Sequence, residues 1–139
     1  MEKVFVDTNI AMDLLQKRDG FYADAQDLFT LADKKEVELY VSALTIATTH
    51  YLLRKHYNTI NARKIVAKFK LLVSVLSVGN KEIDLALVSD FDDFEDAIQY
   101  HTAIENGMNA IITRNKKDFK FSALPVLTAK EWLARLFQT

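Results

Sequence analysis

Short apolar runs alternate with longer stretches of helical periodicity along this chain. Val4, Phe5 and Val6 form a β-branched and aromatic run that stops on an acid, Asp7, and residues 3 to 7 read as a buried strand. Leu39 to Ser42, the alternating stretch Val73 to Val78, Ala110 to Thr113 and Val126-Leu127 read as further strands. Between them the periodicity predicts helices over 9–17, 21–35, 43–56, 59–72, 80–89, 93–106 and 128–137. In the 21–35 helix the core face is Phe21, Ala25, Leu28, Phe29 and Ala32. In the last helix Trp132, Leu133 and Leu136 are the residues expected to pack on the sheet. Gly107 suits the position just past the end of the 93–106 helix. Thr128 with Glu131 has the spacing of a capping box. Only three glycines and one proline interrupt the chain, so connections should be short. Strands alternating with helices predict an α/β fold, a parallel sheet covered on both faces.

Composition narrows this picture. A length of 139 residues suits one domain, and half the residues are hydrophobic, enough for a real core. The formal net charge of -1 argues against nucleic-acid binding by bulk charge, so any such contact must come from a local patch. The absence of cysteine excludes disulfides, thiolate metal sites and cysteine nucleophiles, and fits a reducing compartment. Met1-Glu2-Lys3 leads straight into the first strand without a signal-peptide pattern, and no apolar run is long enough to cross a membrane. A cytoplasmic location is therefore expected.

The candidate chemistry is acidic. Asp7 stands at the carboxyl end of the first strand, where open α/β sheets bind ligands. It reads either as a metal ligand or base, or, with Thr8, as an N-cap of the next helix. Asp90, Asp92, Asp93, Glu95 and Asp96 crowd together around the start of the 93–106 helix. Helix capping accounts for several of them. Asp96 precedes a run of small and apolar residues and is expected to face the sheet, where a buried acid needs a partner such as a cation. The segment Thr113-Arg114-Asn115-Lys116-Lys117-Asp118-Phe119 follows another buried strand and reads either as a third set of oxygen donors or as an Asx turn. Asp7, Asp96 and Asp118 would suit a hard cation, Mg²⁺ or Mn²⁺. Arg114, Lys116, Lys117 and Lys120 form a basic rim that could draw phosphate, or a solvated face. Tyr51, Tyr57 and Tyr100 could stack on bases or pack in the core. His50 and His101 read as structural.

Four fragments taken in order resemble the PIN-domain nucleases. They are Val6-Asp7-Thr8-Asn9, Val41-Ser42-Ala43-Leu44-Thr45, Glu95-Asp96-Ala97 and Ile112-Thr113-Arg114-Asn115-Lys116-Lys117-Asp118-Phe119. The resemblance covers nearly the whole chain. It implies one PIN-like domain over 1–139, with a Rossmann-like three-layer α/β/α fold around a central parallel sheet. It also implies an acidic pocket holding Mg²⁺ or Mn²⁺ and hydrolysis of RNA phosphodiester bonds. On this resemblance Asp7, Asp96 and Asp118 hold the metal, and Asn115 sits where many members carry a further Asp. Thr8 or Thr113 would hydrogen-bond the scissile phosphate, with Arg114, Lys116 and Lys117 beside it. The length is similar to that of small VapC-like toxins, which implies an antitoxin protein and a homodimer. One departure stands out. The family usually carries a Glu near position 48, but here that residue is Thr48, and no acid occurs from Val41 to Asn58. This opens an alternative, a catalytically degenerate PIN domain that binds RNA or a protein. A receiver-like phosphate-handling domain fits less well, because no clean acceptor Asp and partner Lys are visible.

Overall fold

A strand that is apolar on both faces must be covered on both sides. Val4, Phe5, Val6, Ala110, Ile111 and Ile112 are all fully buried, which places their two strands at the centre of the sheet. The computed structural model describes residues 1–136. Its strands β1 (Lys3–Val6), β2 (Glu38–Ser42), β3 (Ser74–Leu76), β4 (Ala110–Ile112) and β5 (Val126–Leu127) form one sheet in the order β3-β2-β1-β4-β5. Every pair is parallel, with Val4 opposite Leu39 on one side of β1 and opposite Ala110 on the other. Around the sheet lie α1 (Thr8–Leu15), α2 (Tyr22–Asp33), α3 (Ala43–Leu53), α4 (Thr59–Phe69), α5 (Asn80–Leu87), α6 (Phe94–Glu105) and α7 (Ala129–Leu136).

The period of two along each strand divides the core into the two outer layers. Val4, Val6 and Ile112 pack with Ile10, Ala11, Leu28, Phe29, Phe69 and Trp132, from α1, α2, α4 and α7. Phe5 and Ile111 face the other way, onto Tyr100, Ala103 and Met108 at the end of α6 and onto Phe119. The result is the three-layer α/β/α arrangement expected from the sequence.

Differences from the sequence-based expectation sit at the edges. The strand expected over 73–78 contracts to Ser74–Leu76, because β3 is an edge strand and Val75 remains more than a third exposed. The 43–56 helix ends at Leu53, and the chain then turns, with Arg54 Nη1 donating to the Tyr57 carbonyl at 2.9 Å. Phe21 lies before α2, not on its core face, and Leu136 is half exposed while Trp132 is buried. The last helix was expected to reach residue 137, which lies outside the described residues. A 3-10 helix, Lys116–Phe119, occupies the segment read as an Asx turn.

Both expected helix-end devices are present. Thr128 N–H donates to Glu131 Oε1 at 2.9 Å, and Glu131 N–H donates back to Thr128 Oγ1 at 3.1 Å, a complete capping box. Past α6, Gly107 N–H bonds the Ile104 carbonyl and Met108 N–H bonds the Ala103 carbonyl, a Schellman ending. It requires the left-handed backbone of Gly107, at φ +69°. A Cβ there would meet nothing within 4 Å, so replacement costs backbone strain alone. Gly107→Ala should therefore lower unfolding free energy by about 1 kcal/mol, and Gly107→Asn by less, as read from urea denaturation midpoints.

Candidate active site

The strand order reverses between β1 and β4, since β2 and β3 lie to one side and β5 to the other. In open α/β sheets that reversal opens a crevice at the carboxyl ends of the strands. Asp7 follows β1 and Thr113 follows β4, so the crevice is flanked by these two side chains. Asp7 N–H donates to the Ile112 carbonyl at 2.9 Å, which holds the two chain ends together.

Asp7 is the N-cap of α1, as one of its two readings expected, and it also lines the crevice. Its Oδ1 accepts from Thr8 N–H at 2.8 Å and from Gln99 Nε2 at 3.2 Å, and its Oδ2 accepts from the Thr113 hydroxyl at 2.8 Å. Burial pushes the Asp7 carboxyl above its ordinary pKa of 3.8, against the pull of these hydrogen bonds. The crevice holds about 270 Å³ and is lined by Asp7, Thr8, Asn9, Met12, Arg18, Leu44, Thr48, Leu52, Glu95, Asp96, Gln99, Asn115 and Asp118.

Asp96 reaches the crevice from the first turn of α6, whose N-cap is Asp93, with Asp93 Oδ1 accepting from Asp96 N–H at 2.9 Å. Asp118 reaches it from the 3-10 helix, which the buried Phe119 anchors below the sheet edge. Partial burial and the facing charges of Asp7, Asp93, Asp118 and Glu95 push the Asp96 carboxyl up to about 7. Like charges converge on Asp96, and such repulsion is relieved by proton uptake or by a cation. Among the described residues no three His, Asp or Glu side chains are already gathered tightly enough to enclose a metal. The oxygen donors nonetheless suit Mg²⁺ or Mn²⁺, which take one or two carboxylates and complete their shell with water and substrate oxygens.

The basic residues expected at the rim are placed less uniformly. Arg114 does not line the crevice. Its Nε lies 3.0 Å from Oδ2 of the buried Asp13, and its guanidinium covers the Phe21 ring at 4.0 Å. Lys116 is tied to Glu131 at 3.0 Å, away from the acids. Lys117 lines a neighbouring cavity of about 240 Å³ that shares Asp96 and Asp118 with the crevice. The cation that does line the crevice is Arg18, a residue the sequence does not single out. Thr113 is fully buried, and its hydroxyl hydrogen is spent on Asp7. Thr8 remains half-buried at the crevice wall. Of the three tyrosines, Tyr100 is buried and Tyr51 and Tyr57 are exposed.

Gln99 went unnoticed in the sequence, yet it is buried against Asp7, Ser42 and Thr45. The available signal was its spacing, since Gln99 stands three residues after Asp96 on one helix face. Thr48 lines the crevice from α3, the wall on which an acid was expected.

The raised Asp96 carboxyl has a measurable consequence. Its folded-state value lies near 7, and its unfolded value near 3.8. The folded protein therefore holds a proton that the unfolded chain has released, so metal-free stability falls as pH rises between these values and levels off above them. Thermal midpoints in chelator should show this decline in the wild type, and Asp96→Asn should make it shallower, leaving the part contributed by the raised Asp7 and Asp13 carboxyls.

Comparisons with known proteins agree with this geometry. The PIN domain family model matches residues 3–117. Ribonuclease VapC1 of Aquifex aeolicus (strain VF5) is 29% identical, over 96% of this chain and 95% of that protein. Among solved structures, DNA-bound VapBC from Salmonella typhimurium superposes with TM-score 0.70 at 16% identity, covering 93% of this chain and 99% of that one. VapC20 of Mycobacterium tuberculosis, a sarcin-ricin loop cleaving toxin, superposes with TM-score 0.61 at 22% identity, covering 78% and 86%. With the crevice acids set at the reversal of a parallel sheet and the family model matched over most of its length, this chain belongs to the PIN domain family.

Proposed function

We propose that this protein is a metal-dependent endoribonuclease in which Asp7, Asp96 and Asp118 hold Mg²⁺ or Mn²⁺. The observation that carries this reading is the convergence of carboxylates from the end of β1, from α6 and from the 3-10 helix on one crevice, with Asp96 pushed up to about 7 by burial and by the acids around it. The similarity to a ribonuclease over nearly the full chain supports the substrate class. When bound, the cation would acidify a water molecule and stabilise charge developing on the phosphoryl group. The chain's own groups do the rest. Thr8 N–H, Gln99 and Thr113 fix the Asp7 carboxylate in one orientation. Asn115 and Asp118, from the segment after β4, would present oxygens to a water or second ion, and Thr8 and Arg18, which line the same crevice, would meet the phosphate. Lys117, beside Asp118, is placed to meet the backbone as it leaves.

In this reading the protein is the toxin of a toxin–antitoxin pair, a PIN-like domain over 1–139 acting in the cytoplasm, with RNA as substrate and an antitoxin protein as partner. Solved relatives that are toxin–antitoxin assemblies support the partner. No helix among the described residues is long and apolar enough to cross a membrane. The exposed Tyr51 and Ile60 on α3 and α4 offer apolar surface for a homodimer or for the antitoxin.

Thr48 favours a second reading. Without an acid on α3 the crevice has fewer carboxylates, and the domain could bind RNA or protein without cutting. A cleavage assay separates the two. Under the first reading, chelator abolishes RNA cleavage, Mn²⁺ restores it, and Asp7→Asn lowers it by about a hundredfold or more. A well-folded wild type that cuts no RNA with either metal would leave the binding module.

Thr48→Glu tests the same point from the other side. It places a carboxylate on the crevice wall and should tighten Mn²⁺ binding, measured by titration calorimetry. No change in Mn²⁺ affinity would show that α3 does not contribute to the metal site.

A further inference from the structure

Behind the crevice lies a chain of buried polar side chains whose hydrogen bonds can be given a direction. Ser42, Thr45 and Gln99 are at most 2% exposed, so each of their polar hydrogens must find a partner inside the protein. Gln99 has one acceptor and one two-hydrogen donor, and Asp7 decides which way round the amide sits. Asp7 Oδ1 already stands as an acceptor, taking the Thr8 N–H, so Nε2 is the end of the amide that faces it, 3.2 Å away. Oε1 then faces Ser42 and accepts its single hydroxyl hydrogen. The second hydrogen of Nε2 goes to Thr45 Oγ1 at 2.8 Å.

Thr45 must now spend its own hydrogen. Thr8 Oγ1 lies 2.9 Å away and Ser42 Oγ lies 3.4 Å away, so the good acceptor is Thr8. The reverse arrangement, with Thr8 donating to Thr45, would leave a fully buried hydroxyl hydrogen with only the long contact. The chain therefore runs from Ser42 to Gln99, from Gln99 to Thr45, and from Thr45 to Thr8. One hydroxyl hydrogen is left over, that of Thr8, on the crevice wall beside Asp7. Thr113 has none to offer. Its hydrogen is on Asp7 Oδ2 at 2.8 Å, and its oxygen already accepts from Asn9 Nδ2 and Asn115 N–H, both at 3.2 Å.

We propose that Gln99 is a positioning residue that sets the direction of this chain and so keeps the Thr8 hydroxyl free to donate to a phosphoryl oxygen in the crevice. The chemical class of the acceptor rests on the nuclease reading, but the direction of the chain does not. Donors that pass polarisation along a buried chain strengthen one another, so the end member is a better donor than an isolated hydroxyl. Gln99 thereby serves two ends, aligning Asp7 through one amide hydrogen and Thr8 through the other.

The test is a double-mutant cycle with inorganic phosphate as probe, titrated in the presence of Mg²⁺ and followed by ³¹P NMR. Thr45→Val cuts the chain at a buried link outside the crevice, and Thr8→Val removes its end. Thr8→Val should weaken phosphate binding by about tenfold, the scale of one hydrogen bond, and Thr45→Val, which leaves the Thr8 hydrogen in place but removes the donor that orients and polarises it, should weaken it by less. The double variant should be no weaker than Thr8→Val alone, because the two act through one hydrogen. Thr45→Ser should restore wild-type affinity. Gln99→Glu should turn the Thr45 hydrogen back toward position 99 and draw the Thr8 hydrogen inward, and so weaken phosphate by more than it weakens Mg²⁺, whose affinity registers the lost contact to Asp7 alone.

Additive losses in the cycle, parallel loss of Mg²⁺ and phosphate in Gln99→Glu, or a wild type that binds no phosphate would each overturn the proposal. If Thr45→Val does not fold, Gln99→Glu against Thr8→Val closes the same cycle. RNA cleavage by the wild type is scored separately. Coupling without cleavage would keep the chain and remove the nuclease reading, and cleavage without coupling would do the reverse.

Discussion

A carboxylate buried at the end of a central strand must be satisfied, and the groups that satisfy Asp7 come from parts of the chain far apart in sequence. Thr8 belongs to α1, Gln99 to α6 and Thr113 to the end of β4. These contacts join the layer carrying α1, the sheet and the layer carrying α6 at one point. The Asp7 site therefore ties the crevice to the packing of both layers. Chain connectivity decides where that point lies, because only where the strand order reverses do the segments leaving adjacent strands diverge and leave a gap.

The same burial makes the crevice electrostatically incomplete. Asp7 and Asp96 are both pushed upward, one mainly by loss of solvent and the other by loss of solvent together with its acidic neighbours. The basic side chains nearby do little to relieve this. Arg114 is held by Asp13 and Phe21, and Lys116 by Glu131. Asp13 is itself pushed up by burial, against the pull of Arg114 and Arg18, so this pair anchors the β4 exit to α1 instead of neutralising the crevice. What lies beside the acids among the described residues is Arg18 in the crevice and Lys117 and Lys120 in the neighbouring cavity.

The sheet and its helices were legible because central parallel strands are apolar on both faces and their covering helices carry an apolar stripe. The capping box at Thr128 and the Schellman ending at Gly107 were legible for the same local reason, since each needs particular residues at fixed spacing. Edges were less legible. The end of α3 at Leu53 and the shortness of β3 depend on how much neighbouring surface is available to cover them. The acids Asp7, Asp96 and Asp118 could be named as candidates because each follows or opens an element beside an apolar run, and the structure brings all three to one crevice.

Side-chain direction could not be named. Arg114 and Lys117 stand in one basic run in the sequence, yet one is turned onto Asp13 and the other toward Asp118. Gln99 looks like an ordinary polar residue until Ser42, Thr45 and Asp7 are brought around its amide. The sequence by itself determined the order of strands and helices, their caps and the set of acids, because these follow from periodicity and local hydrogen bonding. Only the tertiary structure decided which acids, hydroxyls and cations share the crevice, because that depends on where a reversed strand order sets residues about a hundred positions apart within hydrogen-bond reach.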